Sequence, residues 1–494
     1  MTIARRRGNH RSPIGHTAGN ISMHRLHTAC AGLILSILAT HASAGDGVYD
    51  ASFGNHAPGV SIIDVVSNPA ISIDSANAVL ASPDGTLLVG GTTVRASGQP
   101  GELSLVRLDA SGQRDASFGD GGKILITPAP GITSLQLGAL LGDAAGGVHV
   151  LASGVVDHVN RLLLCHVDAA GTVEGACVNL PAPAGLTFRF GRAAATLDSQ
   201  GRIVTLAPVG IPTFTWGQDL SVARWYADGS SDTGFGNNGA TTIRRFDELA
   251  GQTTFNTVAG VRVDTLGRIV VAATSRPRSA TIDGVSTFGA ARLLASGQPD
   301  AAFGDGGARL LPTPAMLEAA ALALDADDGL IIGGSHLVNT PTSPPVLQSA
   351  FALARIDADG DIDASFGNDG LRRIELRSGM QPDDACAALA IQPDGRIVAA
   401  GYSRAPGSTG GFDLAATRLW PDGRLDSGFG GAGNGRFIGP IDLADGFGNL
   451  DTIAAIRWHD QRLIAVGSAR SGYDQDEFVA IRLRADGLLD AGFE

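Results

Sequence analysis

The chain has 494 residues, of which 44% are hydrophobic and only 5% are aromatic, and it contains 68 glycines. This hydrophobic fraction is large enough to build a buried core, which excludes global disorder. The formal charge of −13 would repel a phosphate backbone, so we expect no nucleic-acid partner.

The first 44 residues have the features of a signal peptide. This segment holds five arginines and no acidic residue, an apolar run at 32–39 follows the arginines, and Ala42-Ser43-Ala44 fits a cleavage site. A start at Met23 is an alternative that would leave a signal peptide of ordinary length. No other stretch approaches the roughly 18 apolar residues of a spanning helix. We therefore predict export to the periplasm or the extracellular space, without a membrane span.

A motif of roughly 60 residues repeats through the rest of the chain. Its clearest copy begins near Ala388, contains two Pro-Asp-Gly turns, and ends with Asp426 and Phe429. The same Asp-x-x-Phe ending recurs at Asp50, Asp115, Asp232, Asp300, Asp363, Asp426 and Asp490. One further copy, near 171–177, lacks this ending. These spacings predict seven units between Phe53 and Phe493.

Each unit is predicted to form four short strands separated by turns. In the clearest copy the apolar runs place these strands at 387–391, 396–400, 413–419 and about 434–438. Asp-Gly at the turns suits the positive φ of tight hairpins. Seven such units predict an all-β protein, a seven-bladed β-propeller that occupies 45–494 as a single domain.

Ring closure is predicted to involve the N-terminal strand. The last unit supplies strands at 452–457, 462–467 and 478–483, but the chain ends before a fourth strand. The apolar segment 59–64 would complete this last blade as its outer strand. Such pairing would remove an exposed sheet edge, which is otherwise prone to aggregation.

The repeated motifs resemble the bacterial delta-60 repeat family. The resemblance rests on Asp-Gly-Arg-Ile-Val-x-x-Gly, on an Arg-Leu-x-x-Asp-Gly segment and on Leu-Asp-x-x-Phe-Gly, and it covers about 47–494. It implies an exported β-propeller without an assigned activity, and it carries over no catalytic residues. The second unit departs from the pattern, because 143–147 replaces the Pro-Asp-Gly turn and Cys177 stands near the Phe position.

The recurring Asp and Arg residues have a structural and a functional interpretation. The segment from Asp357 to Asp363 superficially resembles a calcium loop, but it lacks the Gly and Glu positions of an EF-hand. We interpret the recurring Asp as a turn cap and expect no cofactor, with calcium as the alternative. The recurring arginines would pair with Asp or with turn carbonyls, or else would surround an anion channel: Arg107, Arg224, Arg292, Arg355, Arg418 and Arg482.

The second unit also holds cysteine and histidine residues close together in sequence. An oxidising compartment would permit a disulfide between Cys165 and Cys177, which would leave Cys386 as a buried thiol. His149 and His166 would lie on neighbouring strands of this unit. Because the histidines show no recognised ligand spacing, we interpret their proximity as chance and expect no metal site.

The connections between the second and third strands vary most, and they emerge on one face of the predicted propeller. On this face Phe214 and Trp216 are the candidate partner-binding residues, unless they fold back over the base of their own loop. We therefore predict an exported, monomeric scaffold that binds a protein or glycan and has no enzymatic activity. Two alternatives remain open: a hydrolase or lyase whose central channel gathers carboxylates or histidines, and a structural module of an envelope assembly.

Overall fold

A computed structural model describes most of the repeat region. The described residues are 47–66, 72–95, 101–213, 217–277, 286–312, 316–339, 347–377, 383–404, 411–441, 443, 450–472 and 475–484. Four features predicted from the sequence lie outside these ranges. They are the signal peptide at 1–44, the alternative start at Met23, the binding residues Phe214 and Trp216, and the last Asp-x-x-Phe copy at Asp490.

The first half of the described chain consists of short strands joined by turns. These strands are β1 Val60–Ile63, β2 Ser72–Ala81, β3 Leu87–Arg95, β4 Glu102–Leu108, β5 Lys123–Ile126, β6 Ile132–Gly142, β7 Val148–Val156, β8 Val159–Val167, β9 Val178–Leu180, β10 Thr187–Phe188, β11 Ala194–Leu197, β12 Ile203–Gly210, β13 Asp219–Trp225 and β14 Ala240–Ile243. Valine, isoleucine, leucine and threonine recur in them, which suits a pleated surface packed on both faces.

The second half continues in the same way after one short helix, α1 Arg245–Ala250. Its strands are β15 Thr254–Val263, β16 Ile269–Pro277, β17 Thr287–Leu293, β18 Ala308–Leu310, β19 Met316–Leu324, β20 Leu330–Asn339, β21 Leu347–Ile356, β22 Leu371–Ile374, β23 Asp384–Ile391, β24 Ile397–Arg404, β25 Phe412–Leu419, β26 Arg436–Gly439, β27 Thr452–His459, β28 Arg462–Gly472 and β29 Gln475–Arg484. The sequence did not predict α1, which the fully buried Phe246 anchors.

Consecutive strands pair into antiparallel four-stranded sheets. Four sheets are β6-β7-β8-β9, β15-β16-β17-β18, β19-β20-β21-β22 and β23-β24-β25-β26, and a fifth runs β10-β12-β13-β14 with β11 also paired to β12. In the remaining sheet β2-β3-β4-β5 is joined to β27-β28-β29, and β1 pairs with β29. The strands predicted for the clearest copy agree with β23 to β26 to within about four residues. The all-β prediction with four-stranded units is therefore confirmed.

The Asp-Gly turns have the predicted backbone conformation. Gly395 and Gly423 adopt φ values of 82° and 83°, a region that favours glycine. At the second turn Oδ1 of Asp422 accepts the backbone N–H of Arg424 at 3.0 Å. The turns between the first two strands and after the third strand are thus fixed by local chemistry.

Hydrophobic cores lie between neighbouring sheets. One core joins Val398 and Leu414 of one sheet with Leu463 and Val479 of the next, and all four side chains are buried. Its residues alternate along each strand with residues that belong to the core on the opposite face. Each inner sheet therefore buries both of its faces, so strand register is strongly specified.

The recurring Arg, Asp and Phe form what we call the arginine clasp between adjacent sheets. Nε of Arg224 donates to Asp232 Oδ2 at 2.8 Å, its Nη1 donates to the Ala295 carbonyl in the next sheet's turn at 2.7 Å, and its guanidinium lies 4.6 Å from the centre of the Phe235 ring. The same ion pair recurs as Arg107–Asp115, Arg292–Asp300, Arg355–Asp363, Arg418–Asp426 and Arg482–Asp50. Their structural interpretation is confirmed, and the alternative that these arginines surround an anion channel is wrong.

The two ends of the described chain meet in one sheet. β1 runs antiparallel to β29, with Val60 opposite Ile481 and Ile63 opposite Phe478. Asp50 Oδ2 accepts hydrogen bonds from Nε of both Arg462 and Arg482 at 2.9 Å. The clasp of this sheet is therefore shared between the N-terminal segment and the C-terminal strand.

The cysteines in the described ranges form one disulfide and leave one free thiol. Cys165 is bonded to Cys177, and the buried Cys386 is free. Burial raises the pKa of the Cys386 thiol to about 12, so this group is inert. A stable disulfide is consistent with an oxidising compartment. Within the described ranges, no helix has the length and apolar character to cross a bilayer.

Candidate functional site

The first strand of each unit faces one shared cavity, which we call the channel. Its volume is about 360 Å³, and residues on or next to β2, β6, β11, β15, β19, β23 and β27 line it. Most of these strands contain a β-bulge, for example between Ala76 and Ala78 and between Val258 and Gly260. A bulge re-aims one side chain, and here the bulged Asn77, Ala259 and Ala387 all line the channel.

Small bulged residues leave room at the centre, and three arginines occupy it. Arg192 precedes β11, Arg262 lies on β15 and Arg457 lies on β27, and all three line the channel. Arg262 and Arg457 hold equivalent positions, opposite Val270 and Ile464 of their neighbouring strands. Three of the first strands or their leading segments thus direct a guanidinium to the same cavity.

These three arginines have no carboxylate partner among the described residues. Nη1 of Arg192 donates to the Ala320 carbonyl at 2.8 Å, and Nη1 of Arg262 donates to the Val261 carbonyl at 2.9 Å. The side chains reach solvent inside the channel although protein surrounds them. Burial lowers the pKa of Arg192 and Arg262, and for Arg262 the charges of Arg192 and Arg457 lower it further. Guanidinium groups nevertheless stay charged at neutral pH.

Polar neutral side chains surround one end of the channel. A connected cavity shares Asn77 and Arg192 with the channel and adds Ser75, Thr92 and Gln136. Thr92 lies near the end of β3, on the side where the variable 92–102 connection begins. This end therefore offers hydroxyl and amide groups beside a cluster of positive charge.

The channel is a basic site in an acidic protein. Arginine forks bind carboxylates, sulfates and phosphates through paired, charge-assisted hydrogen bonds, which strengthen where water is partly excluded. Neutral hydroxyl and amide groups nearby suit the hydroxyls of a sugar. The arrangement can hold a small anionic group and, beside it, a polyhydroxylated one.

A second group of ionisable side chains lies where β2 and β29 begin. Burial raises the pKa of Asp74 to about 6, and the nearby Asp64 adds to the effect. Burial and the charges of Asp64, Asp74 and Asp476 raise the pKa of Glu477 to about 7. Glu477 Oε2 is buried without a hydrogen-bond partner, while Ser471 Oγ donates to Oε1 at 3.1 Å. Glu477 is therefore about half protonated at pH 7, whereas Asp74 becomes mostly protonated only below about pH 6.

The channel arginines were not identified as site residues from the sequence. The carboxylates or histidines that the enzyme alternative required do not line the channel in the described part of the chain; arginines do. Only two of the seven first strands carry Arg at the position of Arg262, where other units have residues such as Leu80, Thr196 or Ala390. A charged residue at this otherwise apolar or small position is the signal that could have identified the site.

The remaining predicted features take other roles. Asp357 Oδ1 accepts the backbone N–H groups of Asp359 and Asp361 at 3.0 and 2.8 Å, so this carboxylate caps its own turn. The expectation of no calcium stays a prediction. His149 and His166 do lie on neighbouring strands, directly opposite each other on β7 and β8.

Comparison with known families finds one match. The model of a β-propeller domain of unknown function, DUF5122, matches residues 82–118, 267–303, 348–366 and 392–429. Each segment ends at the Phe of an Asp-x-x-Phe copy. This match and the four-stranded sheets together support a β-propeller. No curated protein sequence matches the chain.

Several solved structures are similar in fold. The polysaccharide lyase Uly1 matches at 9% identity and a TM-score of 0.47, covering 83% of this chain and 90% of that one. An α-L-arabinanase from Penicillium chrysogenum, complexed with arabinobiose, matches at 10% identity and 0.40, covering 69% and 91%. A sialidase from Trypanosoma rangeli, in complex with sialic acid, matches at 9% and 0.40, covering 88% and 60%.

These matches correct one expectation from the sequence. We expected a binding protein without enzymatic activity, yet the matched structures are carbohydrate-active enzymes. Fold similarity at this identity assigns no reaction to the chain. The expectation that the protein lacks enzymatic activity is therefore not retained.

Proposed function

We propose that this protein acts on an acidic glycan, whose anionic group it holds at the channel arginines. The single observation that carries the proposal is the convergence of Arg192, Arg262 and Arg457 on one cavity without a carboxylate partner in the described ranges. Three guanidinium groups that face solvent in one cavity repel one another, and no carboxylate in the described part of the chain neutralises them, so an anionic ligand would be attracted there. A uronate or a sulfated sugar supplies that charge.

The glycan part of the proposal rests on the channel's rim. Ser75, Thr92, Asn77 and Gln136 present neutral hydroxyl and amide groups beside Arg192. A phosphate ion alone would leave them without a role, whereas the hydroxyl groups of a sugar could form hydrogen bonds with them. The channel has a volume of about 360 Å³, which suits a sugar unit rather than a folded protein.

Binding measurements on arginine variants test this proposal. We expect oligosaccharides of uronic acids to bind the protein, with affinity falling as salt rises, and neutral oligosaccharides of the same length to bind at least tenfold more weakly. Arg262→Ala and Arg457→Ala should each weaken binding of the acidic oligosaccharide about tenfold or more. Neither variant leaves a buried carboxylate unpaired, so the fold should persist.

The control is Arg424→Ala, which removes an exposed arginine that pairs with Asp422 on a turn. This variant should bind like the parent protein. Equal affinity for acidic and neutral oligosaccharides, or unchanged binding by both channel variants, would refute the proposal. The same samples are assayed for new reducing ends and for unsaturated sugar ends, which distinguish hydrolysis from elimination.

A second candidate function is hydrolysis of a glycan by the carboxyl groups at the start of β2 and β29. The observation that favours it is the raised pKa of Glu477 and of Asp74, a pattern that suits a general acid at neutral pH. Release of reducing ends that Glu477→Gln abolishes, while Arg262→Ala leaves it intact, would favour this site over the channel.

We further propose that the sheets close into one ring of seven blades and that β1 is the outer strand of the last blade. The pairing of β1 with β29 and the seven first strands around the channel support this arrangement. The delta-60 resemblance, export after a signal peptide, and a loop-face role for Phe214 and Trp216 are proposals of the same kind. The Cys165–Cys177 disulfide supports export.

A further inference from the structure

The second unit, β6 to β9, replaces the arginine clasp with a different set of side chains. In the other six units the third strand carries the clasp arginine, and an aliphatic residue lies opposite it. Those pairs are Leu88–Arg107, Val204–Arg224, Val270–Arg292, Ile331–Arg355, Val398–Arg418 and Ile464–Arg482. In the second unit the pair is His149 opposite His166.

The substitutions extend to the rest of the clasp. The clasp aspartate normally follows its arginine by eight residues, and here Glu174 follows His166 by eight. Cys177 stands at the Phe position and is bonded to Cys165. All of these positions belong to the clasp, so the new side chains lie together where the arginine and its partners lie in the other units.

His166 lies between two carboxylates. Its Nε2 is 2.7 Å from Asp143 Oδ2, and its Nδ1 is 2.8 Å from Glu174 Oε2. The Asp143 carboxylate is held in place, because its Oδ1 accepts the backbone N–H groups of Ala145 and Gly147 at 2.8 Å each. Oδ2 of Asp143 is therefore aimed at His166 by the turn itself.

His149 adds an imidazole with an unused nitrogen. Its side chain is buried, with 6% exposed, and its Nδ1 has no hydrogen-bond partner. The centres of the His149 and His166 rings are 4.6 Å apart. One ligand atom each from Asp143, His149 and His166 lies within 4.8 Å of the others. A buried imidazole nitrogen without a partner is costly unless something binds it.

Space for an ion exists beside these atoms. A Cβ at Gly147 would lie 2.7 Å from Asp143 Oδ2 and 3.1 Å from His166 Nε2, so a side chain there would fill the gap. In two other units arginines stand at this turn position, Arg202 and Arg268. Asp143 and Gly147 also line a cavity of about 630 Å³ that reaches Arg457, which gives a route from solvent.

We propose that Asp143, His149 and His166 bind a divalent transition-metal ion of the zinc class. Two imidazoles and one carboxylate form a donor set that zinc commonly takes, with a further position for water or a ligand. Glu174 is a positioning residue: it accepts the Nδ1–H of His166 and so fixes the tautomer that presents Nε2 to the metal. The proposal does not rest on the glycan proposed for the channel, although the cavity beside the site also reaches Arg457.

Titration of the purified protein with Zn²⁺ and Co²⁺ tests the site. The protein is kept oxidised, because free thiols of Cys165 and Cys177 would themselves bind zinc. We expect one Zn²⁺ per chain, visible absorption bands on adding Co²⁺, and a higher Tm with zinc. His149→Val, which installs the aliphatic residue of other units, should weaken zinc binding at least 100-fold and abolish the Co²⁺ bands.

Two further variants keep the test decisive. Asp143→Asn retains the Oδ1 turn cap but loses the charged ligand, so it should also lose the tight zinc site. This variant provides the test if His149→Val fails to fold. Glu174→Gln should weaken zinc binding about 10- to 100-fold while leaving one site per chain. His158→Ala is the matched control, since His158 lies on the turn of the same β7–β8 hairpin. It should bind zinc like the parent protein.

The proposal is overturned if the parent protein binds no zinc in the micromolar range, or if His149→Val and Asp143→Asn bind it as tightly as His158→Ala. Neither result bears on the channel. Loss of zinc binding with acidic-glycan binding retained would separate the two sites.

Discussion

The pKa of single side chains in this protein depends on burial and on neighbouring charges. For Glu477, burial raises the pKa, and the negative charges of Asp64, Asp74 and Asp476 raise it further. Because the pKa in the folded state, about 7, lies above the ordinary value of 4.5, ionisation of Glu477 favours the unfolded chain. Its contribution to stability is complete below pH 4.5 and is lost as the pH rises through about 7.

Glu477→Gln should therefore stabilise the protein at high pH but not at low pH. We expect a gain of about 1 kcal/mol at pH 8, allowing for solvent screening of this half-buried group, and no gain at pH 4. Urea unfolding of the variant and the parent between pH 4 and 9 measures the difference. Glu375→Gln, at an exposed ion pair with Arg373, is the control. A gain that does not vary with pH would contradict the expectation.

The sequence allowed some of these residues to be assigned and not others. Arg224 and Asp232 were recognised because the pair recurs at a constant separation in most units, and recurrence indicates a structural role. Arg262 and Arg457 do not recur in most units, so the repeat hid them. His149 and His166 were seen as neighbours, but the Asp143 and Glu174 contacts depend on turn geometry that no spacing reveals.

At the scale of elements, neighbouring sheets are joined by the arginine clasp. Arg418 is almost fully buried, donates to Asp426 at 2.7 Å, and lies over the Phe429 ring. Removing one partner of a buried pair leaves the other charge uncompensated, which costs far more than losing an exposed pair. The stability of each sheet therefore depends, through the clasp, on its contact with the neighbouring sheet.

Arg418→Ala should destabilise the fold by about 2 kcal/mol or more, because the buried Asp426 would lose its nearer cation and keep the more distant Arg396, 3.4 Å away. Arg424→Ala, in the turn next to it, should cost less than 1 kcal/mol, because the Arg424–Asp422 pair is exposed. Denaturant unfolding of both variants gives the comparison. Equal losses for the two variants would show that burial of the clasp contributes nothing.

Strand positions were predictable because apolar runs and Asp-Gly turns alternate along the chain. The β-bulges in the first strands were not, since a bulge adds one residue without a distinctive sequence. Yet bulged residues such as Asn77 and Ala387 decide which side chains face the channel. The architecture thus followed from the sequence, whereas the interior surface of the channel did not.

At the scale of the whole molecule, the N-terminal segment completes the sheet that contains β29. Removing residues 47–64 would expose one edge of β29 and leave Arg482 without Asp50. Exposed strand edges pair with other chains. We expect the chain that starts at 65 to self-associate with rising concentration, whereas the chain that starts at 47 stays monomeric. Size-exclusion chromatography with light scattering measures this, and a monomeric truncated chain would contradict it.

The pairing of β1 with β29 also sets an order of events during synthesis. More than 400 residues separate Val60 from its partner Ile481. At about 5 to 20 residues per second, β1 waits roughly 20 to 80 s after it is made before β29 exists. The strand that is synthesised first is thus among the last to pair in the sheet. Until β29 is synthesised, β1 must not pair with other strands.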